Sequence, residues 1–338
     1  MEIREHEPLA SHTTFRIGGP ARVYVEAETD EDVQTALALS RERGLPLRVL
    51  GAGSNLLVPD EGVDAVVLRL TGMRIAFADS AEGETLLVAD AGARWDDVVD
   101  AAAARGLWGV ENLAGIPGTM GGAAVQNIGA YGAELSEVFA YAETIDARGD
   151  AARIARADAR FAYRRSVFKG DRDRVITKVA LALRASATPK LSYADLARAQ
   201  EAGTPLTTPA EIASAVRAIR AGKFPGPGAD GTAGSFWKNP TVPREEAERL
   251  LARYPRLPQY PQPDGSVKLS LAWLLDHVLN LKGHAVGAAR LYEKQPLVIV
   301  ASGGATSHDV DALARDVAAR VQDATGITLE REVETFGV

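Results

Sequence analysis

Residues 111–132 read ENLAGIPGTMGGAAVQNIGAYG. After Glu111 the run holds 21 residues without a charge, and six of its 22 positions are glycine: Gly115, Gly118, Gly121, Gly122, Gly129 and Gly132. Glycine permits positive φ and close approach of backbone to a ligand, at a cost in conformational entropy. Uncharged, glycine-dense backbone offers N–H groups without competing side chains, and such concavities hold phosphates. Gln126 and Asn127 add amide donors and acceptors able to read a polar ring edge. The run reads as a wall laid against a large phosphorylated cofactor. A membrane span needs roughly 20 mostly apolar residues, which Pro117, Asn112, Gln126, Asn127 and the glycines disfavour. A flexible linker is polar, unlike Ile116, Met120, Val125, Ile128 and Tyr131. On this run alone, a buried structural loop without a ligand stays open.

The rest of the chain bounds the reading. At 338 residues it exceeds one ordinary domain, so two or three are expected. A net charge of −7 and a pI near 5.4 argue against nucleic acid as the main partner. There is no cysteine, which removes disulfides, iron–sulfur clusters, thiolate zinc sites and cysteine nucleophiles together. His6, His12, His277, His284 and His308 match no HExxH spacing, so no metal site is expected. The N-terminal MEIREHEPLA is charged and has no apolar signal region, which points to a cytoplasmic protein.

Punctuation along the chain predicts a mixture of strands and helices. Strands are expected at 23–27, 47–50, 56–58, 63–70, 86–89, 142–146, 175–183 and 295–301, with a last one at 327–333. Helices are expected at 31–43, capped by Thr29 and stopped by Gly44, and at 95–105, 209–221, 245–253 and 269–279. A further helix starts near Ser307 and ends at Gly326. A Pro- and Gly-rich loop, KFPGPGADGTAGS, fills 223–235. The class is α+β, with a cofactor unit first and a second unit from about residue 215.

Four further segments carry chemistry. GAGSN at 51–55 follows a strand, but the dinucleotide fingerprint needs a third glycine where Leu56 stands, and a strand follows rather than a helix. Gly51, Ala52, Gly53, Ser54 and Asn55 can still hold a diphosphate, although a plain turn reads equally well in isolation. Two glycine loops of neither Rossmann nor Walker type suggest one extended cofactor across both, and a flavin dinucleotide fits. RFAYRRSVFK at 160–169 sets cations beside aromatics. A solvated basic edge suits Arg165 and Lys169, whereas Arg164 near a flavin can stabilise a carboxylate or an enolate-like charge. In GSFWKNP at 234–240, Ser235 is no GxSxG nucleophile. It reads as a turn serine or as a hydroxyl that donates a proton to a basic carbanion. In LEREVETFG at 329–337, glutamates alternate with Leu329, Arg331 and Val333 as on a half-buried edge strand. The residues alone favour none of the three acids.

Together these segments resemble the UDP-N-acetylenolpyruvoylglucosamine reductase family, also called UDP-N-acetylmuramate dehydrogenases. The resemblance runs from TTFRIGG at 13–19 to LEREVETFG, through GAGSNLLV, the 111–132 run, YRRSVFK and GSFWKNP in the family's order. It implies a two-part FAD-binding domain of the vanillyl-alcohol-oxidase/PCMH type, formed by 1–60 with the C-terminal strand 327–338 and by 61–214. A separate α+β substrate-binding domain would span 215–326. It implies noncovalent FAD, held by 51–55, Leu56, Ile116, Pro117, Gly118, Thr119, Gly121, Gly122, Ala123, Gln126, Asn127 and Arg164. NADPH is the implied hydride donor and UDP-N-acetylglucosamine enolpyruvate the implied substrate.

In this resemblance Ser235 is the proton donor, Arg164 polarises the substrate carboxylate, and Glu332 assists by hydrogen bonding or proton relay. Tyr131, Tyr163, Tyr193, Lys223, Asn239 and Gln295 contact the UDP-sugar or NADPH phosphates. Tyr260, in YPRLPQYPQPDG, resembles the tyrosine of a loop that closes over substrate in one of two family classes. Arg331 stands where many relatives have proline, which adds a charge beside Glu332, and Trp237 stands where many have phenylalanine. A flavin oxidase on the same cofactor domain and a nucleotide-binding module without turnover are the rival readings. The GSFWKNP and EREV motifs favour the reductase over the oxidase, and Ser235, Arg164 and Glu332 together argue against the module. A monomer, with no nucleic-acid or membrane partner, is expected.

Overall fold

The computed structural model describes residues 1–79, 83–171, 173–226, 228 and 230–337. Pro227 and Ala229 of the expected Pro- and Gly-rich loop lie outside the described residues. The chain divides into two units. Met1–Glu7, Ala21–Ala52 and Asp64–Gly222 form the first, while Pro8–Pro20, Gly53–Val63 and the chain from Lys223 form the second.

The first unit carries two sheets. One has the strand order Glu2–Pro8, Pro20–Ala27, Val63–Leu70, Leu47–Leu50, the last two parallel. Helix α1 (Asp30–Arg43) follows the second of these strands. Thr29 and Asp32 form a capping box, three acids lie in the first turn, Arg41 and Arg43 lie in the last, and Gly44 closes it at φ 63°. Each feature opposes the helix dipole or satisfies terminal backbone groups. Its buried Val33, Ala36 and Leu37 pack with Val23, Val25, Val66 and Leu68, and with Ile145 and Val175 of the other sheet.

That second sheet is antiparallel, ordered Ala151–Ala155, Phe139–Asp146, Arg174–Arg184, Glu84–Asp90, Ile75–Asp79. Against it lie α2 (Trp95–Ala104), α3 (Met120–Gln126) and α5 (Pro209–Lys223), with α4 (Ala194–Glu201) preceding α5. Leu87, Val98, Met120, Phe139, Leu181, Ile212 and Val216 share one buried cluster. Helix α5 therefore belongs to the first unit. The apolar stripe of Ile212, Ala213 and Val216 fixes it there, where the sequence reading begins the second unit at about 215.

The second unit has a sheet ordered Gly231–Ser235, Val298–Ala301, Ala289–Leu291, Ala285–Val286, with antiparallel pairing. A smaller sheet joins Thr241–Val242, Val267–Leu269 and Gln259–Pro261. Helix α6 (Arg244–Arg253), a short α7 (Leu271–Trp273) and the long α8 (Ser307–Thr325) complete it. Two expectations change here. The helix expected at 269–279 starts later, because Leu269 pairs with Gln259 in the small sheet and Ser270 caps the turn after it. It also continues as a π-helical turn, Leu274–Val278, with Leu279 N bonded to Leu274 O at 3.1 Å. The strand expected at 327–333 is not regular. Glu332 N and Val333 N both donate to Phe236 O, at 2.9 and 3.4 Å, which breaks the ladder. Regular pairing returns only at Glu334–Thr335, parallel to Leu56–Leu57.

Candidate functional site

In the first unit the uncharged run opens with the 3₁₀ turn Glu111–Leu113. Asn112 is buried, and its Nδ2 donates to Tyr131 O and Lys190 O, both at 2.8 Å. Gly115, at φ 69°, donates its N–H to Asp96 Oδ1 at 2.7 Å, and its carbonyl accepts from Arg220 Nε at 3.0 Å. Thr119 then caps α3 by accepting from Gly122 N at 3.3 Å. Met120 N and Gly121 N donate to Ala93 O and Ala91 O at 2.8 and 2.9 Å. These first-turn N–H groups are bonded within the protein, which corrects the expectation that Gly121 and Gly122 offer bare donors. At Gly121 glycine serves close packing instead, since a Cβ would lie 3.0 Å from that of Ala91.

The two glycine loops meet. A Cβ on Gly51 would lie 3.1 Å from Thr119 Oγ1, so the start of GAGSN abuts the cap of α3. Past α3, Asn127 adopts φ 42° with its side chain enclosed. Its Nδ2 donates to Glu134 Oε2 and Ala162 O at 3.0 Å, and its Oδ1 accepts from Ser136 N at 2.9 Å. The amide expected to read a ring edge is thus committed to holding the loop. Gly129–Ala130 and Ala133–Glu134 pair as a hairpin. Tyr131 and Gly132 both have positive φ, 48° and 81°, the requirement of a two-residue type I′ turn. The Tyr131 ring is buried edge-on to Tyr193, with centroids 5.1 Å apart, and burial pushes its phenol up to about 12.

Arg164 projects from a backbone at φ 54° and donates from Nη2 to Gly129 O at 2.6 Å. A Cβ on Gly129 would lie 2.7 Å from Arg164 Nη1, so that glycine makes room for the guanidinium. The same guanidinium lies 5.1 Å from the Tyr163 ring centroid. Lys169, assigned above to a solvated edge, is half-buried and donates to Gln126 Oε1 at 2.9 Å. Sequence reasoning missed a pair of arginines one turn apart on α5. Arg217 forks onto Asp96 with Nε and Nη2 each at 2.9 Å from its carboxylate. Arg220 holds the Gly115 carbonyl, and burial keeps its guanidinium below the ordinary value. Their i,i+3 spacing is the signal that one helix face grips the glycine run.

In the second unit Ser235 is half-buried at the end of its strand, followed by the enclosed Phe236 and Trp237. Phe236 O accepts from Glu332 N at 2.9 Å, which sets the backbone of Glu332 beside the residue after Ser235. Asn55 strengthens this arrangement, its Nδ2 donating to Glu332 O at 2.9 Å. The neighbouring Arg331 engages Asp311 at 2.6 Å and lies 5.3 Å from the Phe236 ring centroid. Asn239 Oδ1 accepts from Leu271 N at 3.0 Å, Gln295 Oε1 accepts from Leu297 N at 3.4 Å, and Tyr260 is exposed in the small sheet. Lys223 ends α5.

The glycine cradle has the chemistry that a flavin dinucleotide needs: apposed glycine backbones and cations held at the Gly115 and Gly129 carbonyls. Residues 21–155 match the family model described as an FAD binding domain, and the class is a flavoprotein built from that domain and a second α+β unit. Residues 226–336 match the model of the UDP-N-acetylenolpyruvoylglucosamine reductase C-terminal domain. A UDP-N-acetylenolpyruvoylglucosamine reductase of Pseudomonas aeruginosa is 42% identical over 339 residues, covering 99% of each chain. One of Cupriavidus pinatubonensis is 43% identical over 338 residues, covering 98% of each. The crystal structure of the Thermus caldophilus reductase aligns with a TM-score of 0.67 at 29% identity, covering 99% of this chain and 98% of that one. This chain belongs to the UDP-N-acetylenolpyruvoylglucosamine reductase family.

Proposed function

We propose that the protein reduces UDP-N-acetylglucosamine enolpyruvate to UDP-N-acetylmuramate with NADPH and noncovalent FAD, a cytoplasmic step of peptidoglycan precursor synthesis. FAD, held by the loop of residues 51–55 and the glycine run of residues 116–127, would supply the hydride chemistry between NADPH and the β-carbon of the enol ether. Charge then develops at the α-carbon and spreads into the carboxylate. Arg164 stabilises that charge as it forms, which lowers the barrier more than equal binding of substrate and transition state would. Ser235 gives its hydroxyl proton to the α-carbon, and Glu332 holds the hydroxyl or relays a replacement proton from water. Tyr131, Tyr163, Tyr193, Lys223, Asn239 and Gln295 hold the nucleotide and phosphate groups, and the loop of Tyr260 covers the substrate.

The observation that carries the acid–base assignment is the shared Phe236 carbonyl, which ties Glu332 to the residue after Ser235. The purified protein should be yellow, and Ser235→Ala tests the donor. Rapid mixing with NADPH should bleach the variant's flavin at the normal rate. Reoxidation by the enolpyruvyl substrate should slow by about 10²-fold or more, the usual contribution of a positioned general acid. Reoxidation at the wild-type rate would falsify the assignment.

A further inference from the structure

Side chains alternate between the faces of a strand, so residues three apart normally face opposite ways. Thr232 and Ser235 are three apart. Yet Gly231 pairs with Ala301, Thr232 with Val300 and Ser235 with Val298. Three steps on one strand meet two on its partner, so one residue is extra. Gly234 has φ 76°, the left-handed conformation of the first position of a glycine bulge. Its N–H donates to Thr232 Oγ1 at 3.2 Å, and pairing resumes with Phe236 N to Leu297 O at 2.8 Å. Ala233 and Phe236 enter the core of the unit, while Thr232 and Ser235 stay half-buried. An unbulged strand would turn Ser235 to the Ala233 face, into that core, and Phe236 out of it.

We infer that Gly234 and Thr232 build a bulge that aims the Ser235 hydroxyl, which makes both positioning residues for proton delivery. The inference rests on the reading of Ser235 as the donor. A Cβ on Gly234 would meet no atom within 4 Å, so a small side chain there alters backbone preference without a clash. Asparagine adopts the left-handed conformation far more readily than alanine. Thr232 can lose its hydroxyl to valine with little change of shape, and serine restores it.

The experiment follows both half-reactions of the FAD-loaded variants by rapid mixing, with substrate affinity for the oxidised enzyme measured separately. Gly234→Ala and Thr232→Val should reoxidise with substrate about tenfold or more slowly, as for a misplaced general acid. Bleaching by NADPH and substrate affinity should be unchanged. Gly234→Asn and Thr232→Ser should recover most of the rate. Equal rates for the alanine and asparagine variants would overturn the inference, as would a parallel loss in both half-reactions. If Gly234→Ala does not fold, the valine and serine pair at 232 decides. Ser235→Ala run alongside separates the two readings. If it reoxidises normally, the donor assignment fails; if it is blocked while Gly234→Ala is normal, only the bulge inference fails.

Discussion

Gly231 shows how a single position can carry a requirement that no pattern displays. A Cβ there would lie 1.8 Å from the Phe15 carbonyl oxygen and 2.4 Å from its carbon, both backbone atoms that cannot rotate away. The next residue, Thr232, donates its N–H to Thr14 O at 3.0 Å, so the segment containing TTFRIGG lies directly along the Ser235 strand. Gly231→Ala should therefore destabilise the protein by about 3 kcal/mol, the upper end of ordinary overpacking. A urea midpoint within error of wild type would show that the strand yields. At this scale the sequence singled out Ser235 and Arg164 as candidates, while Glu332 came only with the family resemblance. It did not show that Phe236 O links two of them, because that bond joins segments far apart in the chain. Nor did it show Asn127 as a fastener, since an asparagine in a glycine run reads the same whether its amide meets a ligand or Glu134.

Among the elements, those with punctuation at both ends were the readable ones. Helix α8 has a capping box of Thr306 and Asp309 at its start and Gly326 at φ 80° at its end. Thr306→Ala should cost about 1 kcal/mol, typical of a lost N-cap, visible as a lower thermal midpoint, and Thr306→Ser should restore it. Equal midpoints for all three proteins would mean that the cap contributes nothing. Helix α3 was illegible for the opposite reason. Gly121 and Gly122 are poor helix formers, and tertiary bonds to Ala91 and Ala93 supply what local propensity lacks. The π-helical turn Leu274–Val278 shares the apolar spacing of an α-helix, so periodicity could not separate them. The segment after α8 alternates like a strand, but its pairing is interrupted where Phe236 O accepts two N–H groups.

Across the whole molecule, the division into units escaped the sequence because short segments, Pro8–Pro20 and Gly53–Val63, cluster with the distant C-terminal chain. Polar clasps secure such segments, and they make stability depend on pH. Burial pushes the Asp60 carboxyl up, but hydrogen bonds from Ser307 N, His308 and Ser307 Oγ outweigh it and leave it below the ordinary 3.8. Asp96 follows the same balance: burial raises it, and Arg217 with Gly115 N more than compensates. Asp316 is lowered first by Arg320, against burial, and then by His284. A carboxyl with a depressed folded pKa stabilises fully above its unfolded pKa, and that contribution disappears as pH falls through the folded value. His308 has the opposite sign, since its hydrogen bond to Asp60 and the nearby Glu61 raise it above the ordinary 6.5. Its contribution is complete below 6.5 and disappears as pH climbs through the raised value. The thermal midpoint should therefore fall steeply below about pH 4, where the unfolded carboxyls protonate, and decline gently above neutrality. His308→Gln should remove the alkaline decline and leave most of the acid limb, because Asp96 and Asp316 are untouched and Asp60 keeps its bonds from Ser307. Calorimetric scans of the two proteins from acid to mild alkali would test this. An alkaline slope unchanged by the substitution would place the clasp's titration elsewhere.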